Sequence, residues 1–177
     1  MEDRRTGMGI DGSAEGSSGG SPALDMLREA FPEEVLEVSM PRGHATAIIR
    51  PESLTKVMEF LKKDSRLLFG VLIDITAVDY AGRDPRFDVV YQLLSLPFNR
   101  RLQVKIRVPE TDPEVVSMTP LWNSANWLER EVWDMFGIRF AGHPNLKRIL
   151  MYEGFQGHPL RKDYPIRRRQ PLIGPKN

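Results

Sequence analysis

The chain has 177 residues, of which 41% are hydrophobic, and its 25 Lys and Arg nearly balance 24 Asp and Glu. This length and apolar content predict one domain with a buried core and exclude general disorder. The absence of cysteine excludes disulfides, cysteine-ligated zinc or iron–sulfur clusters, and thiol catalysis. No apolar run approaches the ~20 residues of a membrane span, and no signal peptide is visible. We therefore expect a cytosolic protein, or one that other proteins hold at a membrane.

The charge is unevenly distributed along the chain. Residues 139–177 carry nine Lys and Arg but two acidic residues, a net charge of +7, and residues 1–138 have a net charge of −6. This split indicates that the C-terminal part contacts an acidic or anionic partner. A basic tail that is simply solvated would have the same composition.

The N-terminal half begins with a low-complexity stretch. Residues 1–20 contain six Gly and three Ser with almost no apolar side chains, so we expect them to be disordered. Sequence patterns then predict a helix that opens at Ser21-Pro22, strands at residues 35–39 and 44–50 around a turn at residues 41–43, and a helix that opens at Pro51.

The strongest β pattern is in residues 67–80, where apolar residues recur with period two. The predicted buried face consists of Leu67, Phe69, Val71, Ile73, Ile75 and Ala77. Residues 87–96 and 101–108 are predicted as two further strands, the second with one wet face. Short turns join the three strands into an antiparallel meander. With the flanking helices, the predicted fold class is α+β.

A last helix is predicted to start at Thr119-Pro120 and to stop at Gly137. Beyond it, five Gly and five Pro in residues 137–177 and the loss of periodicity predict an irregular segment. Because the segment keeps many apolar residues that so small a domain lacks room to bury, we expect it to wrap over a partner protein. The predicted organisation is a disordered tail at 1–20, an α+β domain at 21–137 and an extended basic docking tail at 138–177.

Two histidines are candidates for chemistry. His143 and His158 both lie in Gly-His-Pro tripeptides and could form a metal pair or an acid–base pair. Without cysteine, or carboxylates at ligand spacing, the favoured interpretation is two turns whose histidines hydrogen-bond locally or to a partner.

The carboxylates of the last helix are not expected to form a catalytic couple. Glu129 and Glu131 are ~200° apart around the helix and point away from each other. Ion pairing is expected instead, with Arg130 and Asp134 as one pair at i, i+4. Asp79, at the end of the long strand, is expected to cap or bond a turn.

Other functional motifs are missing from the sequence. It has no phosphate-binding loop and no nucleophile elbow. Arg167-Arg168-Arg169 could contact nucleic acid, but no recognition helix or RNA-stacking motif accompanies it. The pattern by itself favours a binding or assembly protein with a docking tail.

Residues 129–150 resemble the signature of a known family, the small hydrophilic C-type subunit of the proton-pumping NADH–quinone oxidoreductase, respiratory complex I. The matching positions are Glu129-Arg130-Glu131, Asp134-Met135-Phe136-Gly137, His143-Pro144 and Lys147-Arg148-Ile149-Leu150. The similarity extends into residues 74–80, 119–128 and 157–165 and covers about residues 22–166 of the chain. Trp133 departs mildly from the Tyr that is more usual in the family.

The resemblance implies a cofactor-free structural subunit of the peripheral arm. FMN, the iron–sulfur clusters and the NADH site would lie in other subunits, and this chain would pack on the large D-type subunit that helps form the quinone site. It would carry no catalytic residues and would support electron transfer from NADH to quinone, coupled to proton translocation. Its implied location is peripheral, on the cytoplasmic side of the cell inner (plasma) membrane.

The predicted contact with this D-type subunit combines the last helix and the tail. Its residues are Glu129, Arg130, Glu131, Asp134, His143, Lys147, Arg148, His158, Arg161, Lys162, Asp163 and Tyr164. Two alternatives stay open. One is the equivalent subunit of a related membrane-bound hydrogenase or ferredoxin-dependent complex, and the other is a free-standing nucleic-acid binder that uses the basic tail.

Overall fold

The computed structural model describes residues 21–167 and residue 170. Its helices are α1 (Pro22–Ala30), α2 (Leu54–Lys63) and α3 (Ala125–Phe136). Its strands are β1 (Val35–Ser39), β2 (Thr46–Ile49), β3 (Val71–Asp79), β4 (Phe87–Ser95), β5 (Arg100–Val108), β6 (Glu114–Val116) and β7 (Arg139–Ala141). Short 3₁₀ turns occupy Pro41–Gly43 and Pro51–Ser53. None of the helices in this described part combines the length and apolar character that crossing a bilayer requires.

Five strands form the main sheet in the order β1-β2-β5-β4-β3. The predicted antiparallel meander is confirmed, because β4 pairs with β3 on one side and β5 on the other. The parallel pairing of β2 with β5 was not predicted. Pairing between strands that are distant in sequence produces no periodic pattern, so it could not be predicted from local sequence.

The core lies between one face of this sheet and the helices. Helix α2 buries the apolar stripe expected from its spacing, with Leu54, Val57, Met58 and Leu61 fully buried. Tyr91, on strand β4, is also fully buried. Burial of one such side chain contributes about 1.5–3 kcal/mol relative to exposure, so this packing is the main stabilising term of the domain.

Strand β3 differs from the period-two prediction at its start. It begins at Val71, and its pairing with β4 is irregular between Leu72 and Asp74. A bulge changes the face on which side chains alternate, so the residues before it and after it follow opposite alternations. Leu72 is buried and Ile73 is 44% exposed, the reverse of the prediction. From Ile75 onward the alternation is as expected.

The predicted start of the last helix was also wrong. Helix α3 begins at Ala125, five residues after Pro120, because the intervening loop is fastened to β3 instead. The indole Nε1 of Trp122 donates to the Gly70 carbonyl at 3.0 Å, and the Ser124 hydroxyl donates to the Leu72 carbonyl at 3.1 Å. The predicted stop is confirmed, because Gly137 ends α3 with a left-handed φ of 80°.

The first part of the predicted docking tail belongs to the domain. Arg139–Ala141 forms β7, which pairs in parallel with β6. Three-residue strands are too short to show periodicity, so neither was predicted. The rest of the described segment is irregular as expected, but Leu146 and Met151 pack against the chain's own core. The predicted disorder of residues 1–20, and the role of Arg168 and Arg169, fall outside the described residues.

Candidate protein interface around helix α3

Asp134 on α3 binds the C-terminal segment, residues 142–167 after β7, at one point. Its side chain is fully buried, and Oδ2 accepts the backbone N–H groups of Ile149, Leu150 and Met151 at 3.1, 2.9 and 2.8 Å. Oδ1 is paired with the guanidinium of Arg148. The buried charge is therefore satisfied by three consecutive amides and one cation, as burial of a carboxylate requires.

These bonds determine the ionisation of Asp134. Burial by itself would raise the pKa of the carboxyl group. The amide of Met151, the guanidinium of Arg148 and the neighbouring amides outweigh burial and lower the pKa below its ordinary value. Asp134 is consequently an anion that holds a turn of the chain.

The predicted pair between Arg130 and Asp134 was wrong. Arg130 donates from Nε to the Lys147 carbonyl at 2.9 Å and from Nη2 to the Arg148 carbonyl at 2.8 Å. An exposed i, i+4 pair contributes a few tenths of a kcal/mol, whereas the partly buried carbonyls and amides of the irregular segment need partners. Both side chains therefore bind the segment instead of each other.

A second attachment point lies at the end of the β3–β4 hairpin. Arg86 is buried and makes two hydrogen bonds of 2.8 and 2.7 Å to Asp79, which is the turn contact expected for that residue. Arg86 also donates to Asp163 at 2.7 Å, and Asp79 accepts the Lys162 amide at 2.7 Å. Glu110 joins the cluster through Arg86. The hairpin therefore holds residues 162–163 through a partly buried charge network centred on Arg86 and Asp79.

The same network shifts the ionisation of its acids. The hydrogen bond from Arg86 lowers the pKa of Asp79 and brings the pKa of Asp163 to about 2. The pKa of Arg86 is raised, chiefly by its bonds to Asp79. All three groups are therefore charged at neutral pH.

Both histidines are hydrogen-bonded within the chain, but only His143 makes a bond that is local in sequence. His143 accepts the Asn145 amide at Nδ1, 3.0 Å away, so its Nε2–H donates to the Asn126 carbonyl at 2.9 Å. His158 donates from Nδ1 to the Asp134 carbonyl at 3.0 Å. Within residues 21–167 and 170, no group of three His, Asp or Glu could hold a metal ion.

Gly137 makes room for His158. A Cβ atom at position 137 would lie 2.7 Å from the imidazole Cδ2, so only glycine fits beneath the ring. The same glycine ends α3. Gly137 therefore both stops the helix and leaves the space in which His158 of the C-terminal segment packs.

The two glutamates diverge as predicted, but Glu129 forms no ion pair with any residue that the structure describes. It is fully buried and accepts the Ser117 hydroxyl at 2.7 Å and the Met118 amide at 2.6 Å. Burial raises the pKa of Glu129 to about 7, despite these two bonds. Its role is to tie the loop after β6 to α3. Glu131 is exposed.

The predicted contact set therefore needs one correction. Glu129 and Asp134 have no exposed surface, so they position the segment and cannot themselves contact a partner. The other residues reach the surface of α3 and the C-terminal segment, where a partner contact stays a prediction. The residues concerned are Arg130, Glu131, His143, Lys147, Arg148, His158, Arg161, Lys162, Asp163 and Tyr164.

Sequence reasoning missed the buried Arg86 and the exposed Trp127, which is 70% accessible. The available signal for Arg86 was that it and Asp79 flank the turn between β3 and β4. No pattern marked Trp127, because tryptophan on a helix usually belongs to the core. The architecture is that of a structural module whose charged clusters hold its own C-terminal segment.

Comparison with known proteins agrees with the predicted family. The family model described as "Respiratory-chain NADH dehydrogenase, 30 Kd subunit" matches residues 47–170, and the chain belongs to this family. The C-type subunit of NADH-quinone oxidoreductase from Citrifermentans bemidjiense is 48% identical over 86% of this chain and 94% of its own length. That of Roseiflexus sp. is 48% identical over 81% of this chain and 82% of its own length.

Solved structures share the fold. A trypsin-resistant fragment (1-134) of Nqo5 is 38% identical, with a TM-score of 0.62, and the match covers 70% of this chain and 99% of the fragment. A chain of the membrane-bound sulfane sulfur reductase, an archaeal respiratory membrane complex, is 21% identical with a TM-score of 0.70, over 81% of this chain and 84% of that one. The α+β class is thereby confirmed.

Proposed function

We propose that this chain is a non-catalytic structural subunit in the peripheral arm of the proton-pumping NADH–quinone oxidoreductase. The observation that carries the proposal is the 48% identity to a C-type subunit along nearly its full length. In this role the chain supports electron transfer from NADH to quinone without binding a cofactor. Because it has no cysteine, the cysteine-ligated iron–sulfur clusters, like the FMN, lie in other subunits.

The proposed partner is the large D-type subunit of the quinone site, on the cytoplasmic side of the inner membrane. The C-terminal segment presents Lys147, Lys162 and Arg167, which form no ion pair with other residues in the described ranges. Between them lie Leu160, 53% exposed, and Ile166, fully exposed. Exposed apolar side chains beside unpaired cations suit a protein surface that is apolar at its centre and acidic at its rim.

The anchors at Asp134 and Arg86 suit this role. They hold the C-terminal segment in one conformation before a partner arrives. A preordered segment loses less conformational entropy on binding than a free tail, which strengthens association. We therefore propose that docking uses a composite surface of α3 and the segment, rather than a tail that orders on contact.

The alternative of a hydrogenase or ferredoxin-dependent complex has weaker support. The structural likeness to the sulfane sulfur reductase chain shows the fold alone, whereas the named C-type relatives are twice as similar in sequence. Nucleic-acid binding is also less favoured, because Arg148 and Arg161 of the basic segment are paired with carboxylates.

A pull-down from gently solubilised membranes of the source organism tests the proposal. The tagged full-length chain should recover the D-type subunit, the NADH-binding flavoprotein and NADH–quinone activity. Lys147→Glu and Lys162→Glu should each lower the recovery, whereas Arg28→Glu, an equal charge change at an exposed position of α1, should not. Recovery of hydrogenase or ferredoxin partners without NADH oxidation would transfer the chain to a sister complex, and recovery of nucleic acid alone would refute the proposal.

A further inference from the structure

The three tryptophans of the chain have different surroundings. Trp122 is buried, and the Lys62 ammonium lies 5.3 Å from its ring centroid. Trp133 has the Arg148 guanidinium 5.6 Å from its ring centroid. Trp127 is 70% exposed, and among residues 21–167 and 170 no cation lies over its ring. The chain thus stacks its own cations on two indoles and leaves the third open.

An exposed carboxylate accompanies the open indole. Glu131 follows Trp127 by four residues on α3, a spacing that places the two side chains next to each other on the helix surface. Glu131 is exposed and forms no ion pair within the described part of the chain. An indole face beside a carboxylate is suited to a guanidinium, which can stack on the ring while it donates two hydrogen bonds to the acid.

The arginines nearest in the fold are already used. Arg130, the neighbour of Glu131 in sequence, donates to the carbonyls of residues 147 and 148. Arg148 is paired with the buried Asp134. Lys147 is exposed but neither lies over the Trp127 ring nor pairs with Glu131. We therefore expect the cation for this site to come from outside the described part of the chain.

We propose that Trp127 and Glu131 receive an arginine side chain from the protein that covers α3 in the assembled complex. The inference rests on the proposed function and adds the chemistry of one contact. The pair is negative, whereas the C-terminal segment beside it is cationic, so the partner must present a cation to α3 and acids to the segment. Such opposed charges fix the orientation of docking as well as its strength.

Co-expression tests the contact. The tagged full-length chain is produced with the other peripheral-arm subunits, and the amount of the D-type subunit recovered per tagged chain is measured in a salt series. Trp127→Ala should reduce the apparent affinity about tenfold or more, and Glu131→Gln about threefold, as expected for a desolvated cation–π and carboxylate contact. Trp127→Phe should retain most of the binding. The double variant Trp127→Ala with Glu131→Gln should lose less than the product of the two, because both groups bind one cation.

Matched variants control for exposure and charge. Leu96→Ala removes an apolar side chain of similar exposure, 68%, from the β4–β5 turn, and Glu52→Gln neutralises an exposed acid beside α2. Neither should change recovery. Because Trp127 is exposed, its replacement by Ala should leave thermal unfolding of the chain unchanged, which separates binding from folding.

The outcomes are distinguishable. If the wild-type chain does not recover the D-type subunit, the proposed function itself fails. If it does recover that protein but Trp127→Ala behaves like Leu96→Ala, only the arginine contact is refuted. Self-association of the isolated chain that Trp127→Ala abolishes would assign the site to a second copy. Trp127-dependent binding to anionic lipid vesicles would assign it to a membrane surface, and either result overturns the proposal.

Discussion

The β3–β5 meander and the C-terminal segment after β7 are held in the molecule by different forces. Strand β4 pairs along its whole length with β5 and along nearly all of it with β3, and its inner face is apolar and buried. The described segment from residue 142 onward has no regular structure and is attached chiefly by two charged clusters, at Asp134 and at Arg86. Burial spreads the stabilisation over many contacts, whereas the anchors concentrate it in a few. We therefore expect that the segment can detach while the rest of the domain stays folded.

The largest loss of folding stability should come from a substitution in the hydrophobic core. Leu61 is fully buried in the core, so Leu61→Ala should lower the free energy of unfolding by about 2–5 kcal/mol through lost burial and a residual cavity. Urea unfolding followed by circular dichroism measures it. A loss below about 1 kcal/mol would show that the core is not the main source of stability.

The buried Glu129 should make the body less stable as pH rises. Its folded pKa of about 7 exceeds the ordinary 4.5, so its contribution is fully present below pH 4.5 and is lost as pH approaches and passes 7. That loss is on the order of 3 kcal/mol, at 1.36 kcal/mol per pKa unit. Glu129→Gln should flatten the decline in unfolding free energy between pH 5 and 8, and an unchanged slope would contradict the role of this carboxyl.

Loss of the Asp134 anchor should loosen the C-terminal segment and leave the rest of the domain folded. Asp134→Asn removes the charge that accepts three amides and pairs with Arg148, at a cost of about 2 kcal/mol. We expect trypsin to cleave faster after Lys147 and Arg148 while residues 21–136 stay protected, as mass spectrometry of the fragments can show. Asp112→Asn, at a carboxylate that is 71% exposed, is the matched control. Equal cleavage of the two variants would mean that Asp134 does not hold the segment.

The smallest effect should come from Asp163, which is 56% exposed. Asp163→Asn leaves Arg86 paired with the buried Asp79, so the loss of folding stability should stay below about 1 kcal/mol.

The lowered pKa values of Asp79, Asp134 and Asp163 give the anchors a pH dependence opposite in sign to that of Glu129. Anchoring is complete above the ordinary Asp pKa and is lost as pH falls through the lowered pKa of each group, which is about 2 for Asp163. Hydrogen exchange of residues 149–151 in a series of falling pH, corrected for the intrinsic rate, measures this loss at Asp134. Protection that persists until the whole domain unfolds would contradict it.

The candidate site was predicted in part. The charged residues of α3 and the segment were recognised from their motif, and the divergence of Glu129 from Glu131 followed from helix geometry. Their partners were not predictable, because Asp134 binds amides 15–17 positions away and Arg86 binds an acid 77 positions away. Local periodicity contains no information on contacts at such separations.

The sequence by itself determined the α+β class, the meander, the stop of α3 at Gly137 and the family. Each follows from short-range physics or from a dense local motif: period two for strands, a left-handed glycine at a helix end, and charged positions at fixed spacing. Only the tertiary structure decided the parallel pairing of β2 with β5, the bulge that exposes Ile73, and the folding of the C-terminal segment onto its own domain. The strand pairing and the bulge depend on backbone groups that meet across the sheet, and a buried charge takes the partners that satisfy it regardless of their distance along the chain.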